Sequence, residues 1–220
     1  MIHFESPKVT VDVVVFTIYN GKLQTLLIKR KGPPFQNHWA LPGGFLEKNE
    51  TLIKAAAREL FEEAGVRHLY LEQLYTFGDP GRDPRGRVIT AAYFALVPAP
   101  LEISAGSDAK EAKWWPVSGL PKLAFDHKKI IDYALQRLQA KLEYTNVAWS
   151  LLPEKFTLTD LQKVYEVVSG RELDKRNFRK KILSLGLLRP LKEMRTGVHQ
   201  RPAHLYAFKT KKKVELRRFF

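Results

Sequence analysis

At helical spacing Glu59, Glu62 and Glu63 share one narrow face of a single helix. The stretch begins at Gly43-Gly44, passes Glu50, runs from Thr51 to Ala64 and ends at Gly65-Val66. At helical spacing, with Glu59 at zero, Glu62 falls at about 300° and Glu63 at about 40°. Ile53, Ala57, Leu60, Phe61 and Ala64 fall between about 100° and 200° and form an apolar stripe. The spacing predicts a helix anchored by that stripe, with acid presented on the other side. No Lys or Arg falls within the acidic window. Like charges at i,i+3 and i,i+4 repel, so a cation is expected among them. Hard oxygen ligands at this spacing suit Mg²⁺ or Mn²⁺, which keep waters and bridge to phosphates. A plain solvated acidic face would show the same pattern.

The flanking residues separate the two readings. Gly44, Glu50, Arg58, Glu59, Glu62, Glu63 and Gly65 stand at the offsets G-x5-E-x7-R-E-U-x-E-E-x-G-U, with aliphatic Leu60 and Val66 at the two U positions. Seven fixed residues at fixed spacing arise by chance on the order of once in 10⁸ starting points. This is the Nudix box, and the chain resembles the Nudix family over about residues 8–142. The resemblance implies a divalent cation held by Glu59, Glu62, Glu63 and the carbonyl of Gly43. It implies that Arg58 orients one of these carboxylates through a charge-assisted hydrogen bond. Glu50 is expected to steady the turn into the helix rather than to touch metal. The implied reaction is attack of water on a nucleoside diphosphate linked to another moiety, with the metal lowering the pKa of water. Glu63, or an acid in the loop before the last strand of the domain (Asp108, Glu111 or Glu102), could take the proton.

The remaining pattern fits a mixed sheet with helices on both faces. Val9–Tyr19 and Lys22–Lys29 read as strands joined by Asn20-Gly21, a two-residue hairpin signal. Leu69–Phe77, Val88–Val97 and Ala112–Val117 read as further strands, with Pro98–Lys110 a loop. Asp126 can cap a helix from His127 to about Leu142. Between two of the strands, Arg82, Asp83, Arg85 and Arg87 share one short loop beside the expected site. Arginine suits bidentate recognition of phosphate, so these four residues and Glu111 are candidate ligand contacts. Phe35 and Trp39 could stack on a base or pack in the core.

Charge divides the chain. Residues 151–220 hold 18 Lys+Arg against 7 Asp+Glu, which is +11 of the net +14. A concentrated basic segment points to a polyanionic partner. Its elements read, in order, as a short strand at Phe156–Leu158, a helix capped by Thr159 and running from Asp160 to Val168, a second helix from Lys175 to Leu185 capped by Asp174, and strands at Leu187–Met194 and Ala203–Phe208. That is the order of a winged helix-turn-helix. The second helix would enter the major groove, with Arg176, Asn177, Arg179, Lys180 and Lys181 offered to DNA. Arg195, His199, Gln200 and Arg201 at the hairpin tip could grip backbone or minor groove. Lys211, Lys212, Lys213, Arg217 and Arg218 read as a charged terminal tail.

The expected fold class is therefore α+β. A Nudix α/β/α sandwich spans 1–143, a junction 144–155, and a winged helix-turn-helix 156–220. With no cysteine, no signal-peptide pattern in Met1–Lys8 and no apolar run long enough to span a bilayer, the expected home is a reducing cytoplasm.

The two-domain order looks like that of the Nudix-related transcriptional regulators of NAD metabolism. Asp83-Pro84-Arg85-Gly86-Arg87, Phe125-Asp126-His127, Phe156-Thr157-Leu158 and Phe178-Arg179 carry that resemblance. It implies a homodimeric repressor on a palindromic operator, released by ADP-ribose. The box here is intact, so Mg²⁺-dependent hydrolysis of ADP-ribose to AMP and ribose-5-phosphate is expected to survive. The competing expectation is a dedicated ADP-ribose pyrophosphatase whose basic domain serves dimerisation or nonspecific anion binding.

Overall fold

The computed structural model describes residues 6–66, 70–98, 109–197 and 200–216. The chain divides into two compact units, one of residues 1–16, 24–96 and 101–134, the other of residues 17–23, 97–100 and 135–220. Among the described residues no helix is long and apolar enough to cross a membrane.

The first unit is built on a mixed sheet. Strands β1 (Lys8–Tyr19) and β2 (Lys22–Arg30) are joined by Asn20 at φ 49° and Gly21 at φ 70°. Two left-handed central residues are what a two-residue hairpin turn needs. With β3 (Trp39–Ala40), β4 (Gly43–Phe45), β5 (Tyr70–Phe77), β6 (Val88–Leu96) and β7 (Ala109–Pro116), the order is β3-β2-β1-β6-β5, with β4 added to β1 and β7 to β2. β1 runs parallel to β6, whereas β4, β3, β7 and β5 pair antiparallel to their neighbours. The parallel pair lies in the middle, so Val11, Val13–Phe16 and Ala91–Leu96 are buried in near-continuous runs. The short strands β3 and β4 were not expected, and β7 begins at Ala109 rather than Ala112.

Helix α1 (Leu52–Ala64) carries the box. Thr51 caps it by accepting from the Lys54 N–H, and Gly65 ends it at φ 71°. The buried face is not the expected one. Ala55, Ala56, Glu59, Leu60, Glu63 and Ala64 are buried, whereas Ile53 is 51% and Phe61 39% exposed. The helix has turned its acid inward at Glu59 and Glu63 and left Ile53, Ala57 and Phe61 outside. The cause lies in β4. Gly43 and Gly44 have no Cβ, and one added at Gly44 would overlap the Glu59 carboxylate. The bare backbone lets carboxylates approach its N–H groups, and hydrogen bonding outweighs the apolar area left in water.

Helix α2 (His127–Tyr144) runs two residues beyond the expected end. Ile130, Ile131, Ala134 and Leu138 are fully buried along it.

The second unit holds α3 (Leu158–Ser169), α4 (Lys175–Ser184), β8 (Leu188–Gly197) and β9 (Gln200–Phe208), the last two antiparallel. The cap of α3 is Thr157, not Thr159. The Thr157 hydroxyl accepts from the Asp160 N–H at 3.1 Å, and the Asp160 carboxylate accepts from the Thr157 N–H at 2.8 Å. That reciprocal box starts the helix two residues early, so Leu158 is helical and the expected strand shrinks to a single bridge from Phe156 to Tyr206.

Residues 144–155 are no loose junction. Val147–Leu151 form a 3-10 turn with Val147, Ala148, Ser150 and Leu151 buried. The tail is engaged with this turn. Val214 N–H donates to Asn146 Oδ1 at 2.8 Å, Asn146 N–H to the Val214 carbonyl at 3.2 Å, and Leu216 N–H to the Tyr144 carbonyl at 2.7 Å. Alternation of charge with Val214 and Leu216 is a strand-like pattern that the lysine run conceals.

Candidate functional site

Between α1 and the central strands lies a cleft of about 520 Å³. Its acidic wall is Glu59 and Glu63, held by the two glycines. Gly43 N–H donates to Glu63 Oε2 at 2.8 Å. Glu59 packs on Gly44 and is bonded by Arg58, whose Nη1 donates to Glu59 Oε1 at 2.8 Å and to Glu62 Oε2 at 3.0 Å. Arg58 also reaches Glu50 through Nε at 2.9 Å and Nη2 at 3.0 Å, and the Phe45 carbonyl at 3.2 Å. The acidic window is thus free of cations on the helical wheel but not in space. Burial raises the Glu59 pKa against the pull of Arg58. The Arg58 hydrogen bonds hold Glu50 below its ordinary value. Glu50 also accepts from the Glu47 N–H, so it steadies the entry turn as expected. Glu62 is exposed and does not line the cleft.

Among the described residues no three Asp, Glu or His side chains converge into a ready metal cage. Two hard carboxylates stand on the cleft wall instead. That donor set fits a cation such as Mg²⁺, which binds through one or two carboxylates, keeps waters and completes its shell with phosphate oxygens.

The opposite side is basic and tightly paired. Arg82 donates to both oxygens of Asp126, at 3.0 and 2.7 Å, and lies 3.4 Å from Asp12. Asp126, expected as a helix cap, has its carboxylate engaged there. Arg85 is bidentate to Asp83, at 3.0 and 2.7 Å, and its backbone N–H also donates to Asp83. Burial alone would raise the Asp83 pKa, but these bonds outweigh it and hold it low. Arg30 donates to the Pro34 carbonyl at 2.9 Å, and burial beside Arg85 lowers its pKa. His127 is buried. Its Nδ1 accepts from the Leu41 N–H at 2.8 Å, which leaves the proton on Nε2, 3.4 Å from Asp12. Burial pushes its pKa down, against the pull of Asp12 and Asp126.

Of the loop candidates, Arg82, Asp83 and Arg85 line the cleft and Arg87 does not. Glu111 stands on β7, 3.9 Å from Lys29 and away from the cleft. Asp108 and Glu102 lie outside the described residues. Phe35 packs with the Ile28–Ala40–Ala124 cluster and Trp39 lies edge-on to Trp115, so neither lines the cleft. Asp12, Arg30 and Phe45 are site residues that the sequence patterns do not single out, and Phe125 and His127 enter there only through the resemblance. Phe45 follows the paired glycines and could have been found. Arg30, at the end of an apolar strand, carried no signal.

In the second unit α4 buries Phe178 and Ile182 and exposes Arg176, Asn177, Lys180 and Lys181. Asp174 caps the helix by accepting from the Asn177 N–H at 2.8 Å. Arg179 turns back instead, donating to Thr159 Oγ1 at 3.3 Å. Arg195 pairs with Asp160 at 2.8 Å. His199 is outside the described residues, as are the side chains of Gln200 and Arg201 and the whole of Arg217 and Arg218.

Residues 8–134 match the NUDIX domain and residues 148–208 the NrtR DNA-binding winged helix domain. The ADPR responsive transcriptional repressor NtrR of Acinetobacter baylyi is 38% identical over 93% of this chain and 83% of its own length. NrtR of Shewanella oneidensis, solved with a 27mer DNA, is 39% identical with a TM-score of 0.81 over 91% of this chain and 93% of that one. Its NUDIX domain, solved with ADP ribose, is 38% identical with a TM-score of 0.57 over 61% and 90% of the two chains. The ADP-ribose pyrophosphatase of Methanocaldococcus jannaschii is 46% identical over 58% of this chain and 73% of its own length.

Proposed function

The chain belongs to the family in which a NUDIX domain is joined to an NrtR DNA-binding winged helix domain, and we propose that it is a repressor that leaves its operator when ADP-ribose fills the cleft. One observation carries this reading. A cleft with a carboxylate wall and an arginine rim occurs in the same chain as a helix whose exposed face is Arg176, Asn177, Lys180 and Lys181. Residues 1–143 handle the small molecule and residues 156–220 the DNA, with 144–155 between. The operator is palindromic, serves genes of NAD metabolism and is met by a homodimer in the cytoplasm.

The cleft also hydrolyses its ligand. Glu59 and Glu63, with the Gly43 carbonyl, would hold Mg²⁺ or Mn²⁺, which supplies a low-pKa water and shields the pyrophosphate. Arg58 keeps Glu59 in place, and the same guanidinium bonds the exposed Glu62 outside the cleft. Arg82 and Arg85 position the diphosphate. The water oxygen bonds to one phosphorus of the diphosphate as Glu63 takes its proton, and the P–O bond from that phosphorus to the bridging oxygen breaks, the other phosphate leaving with that oxygen, to give AMP and ribose-5-phosphate. Hydrolysis ends the signal and resets the repressor.

A mobility shift on the DNA upstream of this chain's own gene tests the proposal. A sequence-specific complex that dissolves on adding ADP-ribose is expected. A second reading, a dedicated ADP-ribose pyrophosphatase with a basic accessory domain, is favoured by the 46% relative, the intact box being neutral between the two. Equal affinity for any DNA, with no response to ADP-ribose, would sink the repressor, and Mg²⁺-dependent release of AMP by the same chain would then support the second reading.

A further inference from the structure

The guanidinium of Arg85 sits against two phenyl rings at once. Its central carbon is 5.0 Å from the Phe45 centroid and 5.6 Å from the Phe125 centroid. Both rings line the cleft, and Phe45 is 40% exposed. Phe125 carries a second guanidinium, that of Arg30, at 5.0 Å. Phe45 also has Lys8 Nζ 5.8 Å from its centroid, but the flat guanidinium of Arg85 is what both rings share, and a nucleobase is another flat group that such faces hold.

The backbone supports the same conclusion. Phe125 is held at φ 50°, and Phe35, at φ 61°, meets it edge-on at 4.8 Å between centroids. A bulky residue in the left-handed region is an outlier, and it persists only where its surroundings over-determine it, as at ligand clamps. One side of the Phe125 ring packs on the Ile28–Ala40–Ala124 cluster and the ring is half-buried, so the rest of it is left to the cleft. The left-handed backbone sets the ring where the core cluster meets the cleft. A phosphate has no use for such walls, whereas the carboxylates and arginines elsewhere in the cleft suit the diphosphate end of a ligand.

We propose that Phe45 and Phe125 form the slot for the flat base of the nucleoside diphosphate, and that the Arg85 guanidinium stands in for that base in the free chain. The assignment rests on the reading of the cleft as an ADP-ribose site. On binding, the base displaces the guanidinium from between the rings. Asp83, bidentate to Arg85, keeps the displaced side chain beside the ligand.

The test is titration of the full chain with ADP-ribose and, separately, with inorganic pyrophosphate, in EDTA so that nothing is cleaved. Phe45→Leu and Phe125→Leu are each expected to weaken ADP-ribose binding roughly tenfold or more while leaving pyrophosphate binding unchanged. Wild-type binding of ADP-ribose with undiminished affinity in both variants overturns the slot and leaves the ADP-ribose reading standing. No binding of ADP-ribose by the wild type overturns both. Should Phe125→Leu lose both ligands through misfolding, Phe45→Leu, which alters an exposed ring, decides the matter.

Discussion

Gly43 and Glu63 are joined by a hydrogen bond of 2.8 Å from the backbone N–H of the one to the carboxylate of the other. Twenty residues of chain separate them, and this bond fixes how α1 is rotated against the sheet. It places a charged group where a helix would ordinarily bury an aliphatic one.

The two glycines should fail differently when given a methyl group. A Cβ at Gly43 would run into the Val11 carbonyl, which is backbone and cannot yield. Gly43→Ala is expected to lose about 1–3 kcal/mol of stability or more in urea melts. The atoms nearest a Cβ at Gly44 are those of the Glu59 carboxylate, the end of a side chain that can move. Gly44→Ala should therefore stay folded and lose Mg²⁺-dependent release of AMP. Equal stability losses in the two variants would contradict the close approach described here.

Glu63→Gln separates charge from scaffold. The amide oxygen can still accept from the Gly43 N–H, so thermal melting should be nearly unchanged. Hydrolysis of ADP-ribose should fall roughly 10²-fold or more. Undiminished turnover would remove Glu63 from the chemistry.

His127 makes stability depend on pH in a known direction. Its folded pKa lies below the usual 6.5 because it is buried. Between the two values the unfolded chain binds a proton that the native chain refuses. Stability is therefore complete above about pH 6.5 and declines as pH falls, by at most about 1.4 kcal/mol per unit. Urea melts of wild type and His127→Asn at pH 7.5, 6.5 and 5.5 isolate the effect, since the other titrating groups largely cancel in the difference. A difference that stays constant across the series would show that His127 is not the source.

The exposed face of α4 predicts the salt dependence of DNA binding. With about six phosphate contacts the log–log slope should be near −5, and Lys180→Ala or Lys181→Ala should each lessen it by about 1. Asn177→Ala should instead relax preference at one base pair, by about 1–3 kcal/mol. Arg179→Ala should cost stability, because Arg179 is bonded to Thr159. Slopes left intact by both lysine variants would place the DNA on another face.

Local signals were readable wherever neighbours in the chain complete the interaction. Asn20-Gly21 makes its turn and Gly65 ends α1. Thr157 was passed over because a cap is chosen by its partner three residues on, and Asp160 answers Thr157 rather than Thr159. The tail was misread because its lysines suggest a solvated end. Only the presence of Asn146 and Tyr144 shows that Val214 and Leu216 have partners.

The order of residues alone determined that Glu59, Glu62 and Glu63 share one side of a helix, and that a basic helix follows far behind. Helical periodicity is a property of the backbone and holds whatever surrounds it. Which way that side faces was decided in three dimensions, as were the guanidinium of Arg58 among the carboxylates and that of Arg85 between two phenyl rings. Those outcomes depend on bare backbone at Gly43 and Gly44 and on rings brought together from β4 and the turn before α2. Hydrophobic spacing measures how much apolar area a face carries, not which hydrogen-bond donors will meet it.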